Sequence, residues 1–276
     1  PVDHFPVPPD VLRFFHRTGS QPIAMSRFGE RLFFEAGLDP TYIPLSVDTK
    51  VLKPTFAVEV PGTGETVNAR DLFGLPRDAF VVGMVAMNKG WSRDRKGFNE
   101  AFRAFGVFWK QHQNAVLFLH TEKFGAGDGI NLVELLIHAG VPEHAVVWTN
   151  QYAYRVGFPA EMMAALYTSM DVLLAPSHGE GFCVPLIEAQ ACGTPVIATR
   201  WGAVPEVVEK RTVADLAAWP YPRNQLVPLT EVVHDRLNVE VFRGCTRGCR
   251  FCQAGMITRP VRERPADQVR AMVESG

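Results

Sequence analysis

Short apolar runs alternate with helical stretches from about residue 10 to residue 210, and this alternation restricts the fold more than any other feature. Most runs are continuously apolar, which is typical of strands buried on both faces of a parallel sheet. Strands that alternate with helices need right-handed crossovers, so the pattern predicts an open α/β sheet. The predicted strands are residues 22–25, 42–45, 80–85, 116–119, 145–148, 171–175 and 195–198, and the predicted helices are 27–36, 98–112, 132–138, 161–169 and 185–192.

The bulk composition excludes several classes of protein. With 276 residues, 47% hydrophobic and 21% charged, the chain has the composition of a globular protein with one large or two modest domains. A net charge of -1 argues against nucleic acid as a partner, and the lack of a run of about 18 apolar residues predicts no membrane span. Five clustered cysteines and the lack of a signal peptide predict a reducing, cytoplasmic location. Pro1 in place of Met suggests a fragment or a processed product.

The chain changes character twice. Residues 54–66 contain two prolines and two glycines and are predicted to be a linker or surface loop. After Lys210, three prolines interrupt any helix, one more strand is predicted at 239–242, and a short helix is predicted at 267–273. The predicted junction lies near residues 208–213. The predicted segments are therefore 1–53, 54–210 and 211–276.

One string, from Asp171 to Ala198, has the order strand, glycine-flanked loop, helix, turn and strand. In an open α/β sheet such a loop lies at the carboxyl edge of the strands, where ligands bind, and the helix start suits a pyrophosphate. Glu180 falls in the loop and Glu188 about one turn into the helix. Ionised carboxylates only accept hydrogen bonds, so these side chains suit ribose or sugar hydroxyls. The alternative is that both are solvated surface charges, but the string as a whole favours a sugar-nucleotide site.

The same string resembles the family 4 retaining glycosyltransferases of the GT-B fold, whose signature is two glutamates separated by seven residues. Glu180 and Glu188 match both, in a Glu-Gly-Phe-Cys context with Cys183 where glycine is usual. The segments 44–48 and 81–85 are similar to the end of that family's N-terminal domain and the first strand of its donor domain. The resemblance implies that residues 1–53 are the tail of the N-terminal domain. It also implies that 54–210 are most of the donor-binding domain, a Rossmann-like open parallel sheet.

The resemblance also implies roles for individual residues and a nucleotide-activated sugar as donor, with no metal required. Glu180 would contact the sugar hydroxyls and Glu188 the ribose, while Lys96 and Arg95 would neutralise the donor diphosphate. The catalytic pair would be Glu180 and Lys96. The backbone donors would come from Gly181, Phe182, Cys183 and Val184. The acceptor is left unassigned.

Three residues after the strand at 116–119 are further candidates for the nucleotide pocket. His120, Thr121 and Glu122 follow that strand directly. A strand-end histidine that only makes hydrogen bonds is an equally open interpretation of His120.

A different chemistry is indicated near the C-terminus by Cys245, Cys249 and Cys252, with Phe251 before the last. Three thiolates in one loop can hold three irons of a [4Fe–4S] cluster. Zinc or free thiols remain alternatives, although structural zinc needs four ligands and only His234 is near in sequence. The spacing resembles radical S-adenosylmethionine enzymes. This resemblance implies a cluster that binds S-adenosylmethionine in the first part of a partial (β/α) barrel, over residues 211–276.

Three functions therefore remain open: a glycosyltransferase, an iron–sulfur radical enzyme, and a binding domain that retains only nucleotide affinity. A GT-B enzyme holds donor and acceptor between two Rossmann-like domains, and only about 50 residues precede the donor domain. Both enzyme modules are therefore expected to be incomplete, and the joining of the two could be an artefact of assembly. Because transfer needs both substrates in one geometry, nucleotide binding is expected to be better preserved than transfer.

Overall fold

The structure is a computed structural model that describes residues 5–60, 63–89, 94–125, 129–208, 217, 239–243 and 261–274. The chain divides into two compact units, Pro1–Glu209 and Lys210–Gly276.

The first unit begins with a small layer of two helices and two strands. Helix α1 is Pro9–Thr18, strand β1 Ile23–Ala24, helix α2 Arg27–Glu35 and strand β2 Thr41–Tyr42, and the two strands pair in parallel. Ser26 is the N-cap residue of helix α2, and its hydroxyl accepts from the N–H of Gly29 at 3.0 Å. The predicted second strand, 42–45, is wrong for most of its length. Sequence reasoning also missed α1, although Pro9 at its first position is a helix-start signal.

The prediction of a linker or surface loop at 54–66 is wrong where residues 57–59 and 66 form strands of an antiparallel hairpin. Strand β3 is Ala57–Glu59, strand β4 is Thr66–Asn68, and Val58 lies opposite Val67. The β-branched residues on both strands favour this pairing, and the prolines and glycines that indicated a linker lie before it and between its strands. The Asn68 side chain then caps the short helix α3, Ala69–Leu72, by accepting from the N–H of Arg70 at 2.9 Å.

The main sheet has five parallel strands and matches the predicted architecture. Its strand order is β7-β6-β5-β8-β9, so β6 and β7 lie on one side of β5, and β8 and β9 lie on the other. The crossover before β7 ends in a short 3₁₀ turn, Glu143–Ala145. The elements in chain order are β5 (Phe80–Val85), α4 (Phe98–Gln111), β6 (Ala115–His120), α5 (Leu132–His138), β7 (Val146–Trp148), α6 (Gln151–Val156), α7 (Ala160–Thr168), β8 (Val172–Ala175), α8 (Val184–Ala191), β9 (Val196–Ala198) and α9 (Val204–Val207).

Two apolar layers cover this sheet, one on each face. Phe118 of β6 and Leu173 of β8 pack with Tyr167 of α7 and Leu186 of α8 on one face. Met84, Leu117 and Leu119 pack with the phenylalanines of α4 and with α5 on the other face, because alternate strand residues point to opposite faces. The sheet is therefore a rigid base for the loops at its carboxyl edge. Ligands of such sheets bind where the strand order reverses, which is here between β5 and β8.

The second unit contains the described part of the C-terminal segment. Strand β10, Phe242–Arg243, pairs antiparallel with strand β11, Arg262–Glu263, and a helix spans Ala266–Glu274. The predicted helix at 267–273 is confirmed, and the predicted strand at 239–242 is shifted toward its C-terminal end. Within the described part of this unit, the buried Arg264 donates to Glu240 at 2.8 and 3.2 Å and to Gln268 of the helix at 2.9 Å. Over the part of the chain that the structure describes, no helix has the length and apolar character needed to cross a membrane.

Candidate functional site

The loops that follow β5 and β8 cross each other at the carboxyl edge of the sheet. The N–H of His178 donates to the carbonyl of Arg95 at 2.9 Å, and Arg95 Nη1 donates to the carbonyl of Gly179 at 2.8 Å. Gly97 has a φ of +71°, and a Cβ built there would lie 2.4 Å from the carbonyl oxygen of Pro176. Only glycine fits such a backbone position, so the crossing depends on Gly97.

The crossing brings together three of the predicted site residues. Lys96 Nζ lies 2.5 Å from Glu180 Oε1, and Arg95 Nη1 lies 3.5 Å from the other carboxylate oxygen, Oε2. Glu180 is only 7% exposed, and the side chain of Lys96 is 16% exposed. Two cations facing one carboxylate leave a net positive charge at the edge of the sheet. Lys96 is largely buried and Arg95 is 38% exposed, and a positive charge in this position is suited to an anionic ligand.

Helix α8 starts directly after this cluster, as predicted. Cys183 is its N-cap residue, with φ +69° and ψ +67°, and Pro185 occupies the first turn. A left-handed conformation costs a residue with a Cβ about 1–2 kcal/mol, so the backbone at Cys183 would suit glycine better. No side chain in the described ranges caps this helix end. The N–H of Leu186 donates to the carbonyl of Cys183 at 3.1 Å.

The thiol of Cys183 is buried beside the cluster. Burial, followed by the charge of Glu180, raises the pKa of the Cys183 thiol to about 12, although Lys96 opposes this rise. Burial likewise raises the pKa of the Cys192 thiol to about 11. Both cysteines are therefore protonated at neutral pH, and each acts as a small apolar residue in the core.

Glu188 lies one turn into α8, as predicted, but it contacts a different partner from Glu180. Its Oε2 accepts from the hydroxyl of Tyr167 at 2.6 Å, and Tyr167 is fully buried. Burial, with a further contribution from the charge of Glu188, raises the pKa of the Tyr167 hydroxyl well above its usual range. Sequence reasoning missed Tyr167. The available signal was a tyrosine near the end of the predicted helix 161–169.

His120 ends β6 at the same edge of the sheet. Its ring lies 4.9 Å from the ring of Tyr154 and 5.0 Å from that of Phe158, and it is only 9% exposed. Burial lowers the pKa of the imidazole to about 4, so His120 is neutral at physiological pH. Within the described ranges, His120 Nδ1 and the neighbouring Thr121 Oγ1 are buried without a hydrogen-bond partner.

Helix α6 fastens the loop after β6. Arg155 donates to the two carboxylate oxygens of Glu122 at 2.5 and 3.1 Å, and this hydrogen bonding lowers the pKa of Glu122. The Gln151 side chain accepts from the N–H of Lys123 at 3.0 Å and donates to the carbonyl of Thr121 at 3.1 Å. Of the three further candidates from the sequence, Glu122 is thus held in an ion pair.

The segment after β9 connects the Glu180 loop with α2. Gly202 has a φ of +63°, and a Cβ there would lie 3.1 Å from the carbonyl oxygen of Glu180. A few residues later, the carboxylate of Glu206 accepts from the N–H groups of Arg27 and Phe28, both at 2.6 Å. A carboxylate at a helix N-terminus is stabilising, so Glu206 ties the first turn of α2 to this part of the sheet unit.

A cavity of about 600 Å³ lies elsewhere, beside the amino ends of β8 and β9 and the β3–β4 hairpin. Its main polar side chain is Arg70, which already donates to Asp171 at 2.7 Å and to three backbone carbonyls. Since those contacts use most of the guanidinium donors, this cavity is a poor match for an anionic ligand.

The three clustered cysteines of the C-terminal segment lie outside the described residues. The iron–sulfur prediction for Cys245, Cys249 and Cys252 therefore stays a prediction. Within the ranges that the structure does describe, no group of three or more His, Cys, Asp or Glu side chains could hold a metal ion.

A family model described as Glycosyl transferases group 1 matches residues 81–223, which is more than half of the chain. The match begins in β5 and includes every residue of the cluster at the sheet edge. It ends before the cysteine segment.

Comparison with individual proteins agrees with this family. The chain is 27% identical over 208 residues to the D-inositol 3-phosphate glycosyltransferase of Acidothermus cellulolyticus, covering 73% of this chain and 42% of that protein. It spans less than half the length of the curated relatives that it matches. Among solved structures, the sucrose-phosphate synthase of Thermosynechococcus elongatus is 25% identical, with a TM-score of 0.50 over 66% of this chain and 41% of that one. Anabaena HepE in complex with UDP and glucose shares the fold, with 21% identity and a TM-score of 0.53 over 74% of this chain and 50% of that one.

Proposed function

This chain belongs to the group 1 glycosyl transferases, and we propose that its parallel-sheet unit binds a nucleotide-activated sugar and serves retaining transfer of that sugar. The observation that carries the proposal is the crossing of the two loops at the reversal of strand order. It places Arg95 and Lys96 beside the buried carboxylate of Glu180. Ligands of doubly wound sheets bind at this position.

The charges of the cluster fit the two ends of such a donor. Lys96 and Arg95 face the diphosphate, whose negative charge grows when the bond to the sugar breaks and the leaving group takes the electron pair. Glu180 accepts hydrogen bonds from sugar hydroxyls, because an ionised carboxylate has lone pairs and no donor. The backbone from Gly181 to Val184 lies beside the same cluster.

Glu188 is the proposed ligand of the ribose. One of its oxygens accepts from the hydroxyl of Tyr167 at 2.6 Å, which fixes the orientation of the carboxylate. A carboxylate offers about four lone-pair sites, so a fixed Glu188 still accepts from ribose hydroxyls. Tyr167 then acts as a positioning residue for the ribose ligand.

Titration with UDP, GDP and ADP, followed by calorimetry and thermal unfolding, tests the binding step. At least one nucleoside diphosphate should bind and raise the unfolding temperature, because a ligand at 100 times its Kd stabilises the folded state by about 2.7 kcal/mol. If none of the three binds, the proposal is wrong.

Lys96→Met separates binding at this site from binding elsewhere. Because a hydrogen bond to a charged group contributes about 1.5–3 kcal/mol, the variant should bind the nucleotide about 10- to 100-fold more weakly. Lys110→Met is the matched control, since Lys110 is exposed in the last turn of α4. Equal loss in both variants would show that the anion binds through general surface charge.

A second candidate function concerns the C-terminal unit and rests on the cysteine spacing that follows β10. Cys245, Cys249 and Cys252 would hold three irons of a [4Fe–4S] cluster, and the fourth iron would bind S-adenosylmethionine. Anaerobic reconstitution with iron and sulfide should give the brown absorbance of a cluster, and a variant with all three cysteines changed to serine should not. A colourless wild-type product would remove this function.

A further inference from the structure

We propose that Glu180 competes with the donor diphosphate for Lys96, so that the protein binds a nucleoside diphosphate weakly once the sugar has left. This inference rests on the proposed function, and it adds to Glu180 a role in product release. Its physical basis is the ion pair at the carboxyl edge of the sheet.

The first step of the argument is that the ion pair is already closed. Lys96 Nζ and Glu180 Oε1 are 2.5 Å apart, and both side chains are largely buried, at 16% and 9% exposure. Arg95 is engaged in the same cluster through the carbonyl of Gly179. A diphosphate that approaches Lys96 must therefore share or replace an existing carboxylate partner.

The second step is that the exchange is unfavourable for a bare diphosphate. A buried ion pair is strongly destabilised when one partner is taken away, because the other charge is left uncompensated. Glu180 is held in place by its own backbone, since the N–H of Ala203 donates to its carbonyl at 3.4 Å and Gly202 packs against the same oxygen. The carboxylate therefore stays beside Lys96 and competes with an incoming diphosphate for it.

The third step is that the sugar relieves the conflict. Hexose hydroxyls are donors, so a bound sugar gives Glu180 new partners when Lys96 turns toward the diphosphate. After transfer, the hydroxyls leave, the carboxylate recovers Lys96, and the diphosphate loses its cation. Glu180 thus favours the intact donor over the nucleoside diphosphate product.

Glu180→Gln tests this competition, because it keeps the size of the side chain and removes its charge. The affinity for the nucleoside diphosphate should rise about tenfold, because Lys96 no longer has to leave a buried carboxylate partner in order to bind the diphosphate. The ratio of donor affinity to diphosphate affinity should fall in the same variant. Glu161→Gln, on the exposed first turn of α7, is the matched control and should change neither.

A double-mutant cycle with Lys96→Met shows whether the effect passes through Lys96. The gain caused by Glu180→Gln should disappear in the Lys96→Met background. A gain of equal size in both backgrounds would mean general repulsion and would overturn the inference. Equal or weaker diphosphate binding by Glu180→Gln would also overturn it, while nucleotide binding by the wild type would leave the proposed function intact.

A second variant covers the case in which Glu180→Gln does not fold, as judged by circular dichroism. Glu180→Asp keeps the charge but withdraws it by one methylene, which breaks the contact with Lys96. It should also bind the nucleoside diphosphate more tightly than the wild type, and weaker binding would contradict the competition. If the wild type binds none of UDP, GDP or ADP, the proposed function itself fails, which is a different outcome.

Discussion

The burial of His120 makes the stability of the sheet unit depend on pH between about 4 and 6.5. Burial lowers the pKa of the imidazole from 6.5 to about 4. Between these values the unfolded state binds more protons than the folded state, so the free energy of unfolding falls as the pH falls. At about 1.36 kcal/mol for each pKa unit, protonation of His120 lowers the free energy of unfolding by about 3 kcal/mol in total. About 2 kcal/mol of this decrease has already occurred at pH 5.

His120→Phe removes this titration and keeps an aromatic ring beside Tyr154 and Phe158. We expect the free energy of unfolding of the wild type to drop by about 2 kcal/mol more than that of the variant between pH 7.5 and pH 5. Urea unfolding at the two pH values, followed by far-UV circular dichroism, measures the difference. The change in the free energy of unfolding is compared between the wild type and the variant because other groups titrate in the same pH range.

The control is His16→Gln, which removes an exposed imidazole from the last turn of α1. Its loss of stability between the two pH values should match that of the wild type. If His120→Phe also loses as much stability as the wild type, then His120 is not a buried neutral imidazole, and the reasoning from burial is refuted.

Three further substitutions test the site by stability or binding. Gly97→Ala should destabilise the protein by at least about 1 kcal/mol in urea unfolding, because its Cβ would lie 2.4 Å from the carbonyl oxygen of Pro176. An unchanged unfolding midpoint would contradict the crossing of the loops. Cys183→Gly should be about 1 kcal/mol more stable than Cys183→Ala, the reverse of the usual order, because only glycine relieves the left-handed φ of +69°. Tyr167→Phe should lower the free energy of unfolding by about 1.5–3 kcal/mol, because it removes the hydrogen bond to Glu188. It should also weaken nucleoside diphosphate binding, because the Glu188 carboxylate loses its fixed orientation. Unaltered binding in calorimetry would contradict the assignment of Glu188 to the ribose.

The sheet was predictable because its strands are buried on both faces. Continuous apolar runs mark such strands directly, and β5 spans the predicted residues 80–85 without a shift. The remaining strands of the main sheet and helix α8 differ from prediction by one residue at one or both ends. The small elements were harder, because a two- or three-residue strand such as β3 carries too few residues for a period to be recognised.

The candidate site was predictable as a set of residues but not as a set of contacts. Glu180 and Lys96 stand 84 positions apart, and their contact depends on β8 lying beside β5. Periodicity shows that strands exist but not which strand is next to which. The contact of Glu188 with Tyr167 has the same origin, because it depends on how α7 and α8 pack. The ligand roles of these residues stay predictions that the experiments above address.

The strand order also determines when the site can form during protein synthesis. The central strand β5 and the loop with Lys96 leave the ribosome first, and β8 with Glu180 follows 84 residues later. At about 5–20 residues per second, about 4–17 s pass between the synthesis of Lys96 and that of Glu180. The growing chain therefore carries this cationic loop next to a half-built sheet, and this edge reaches its final electrostatic state only after Glu180 has been synthesised.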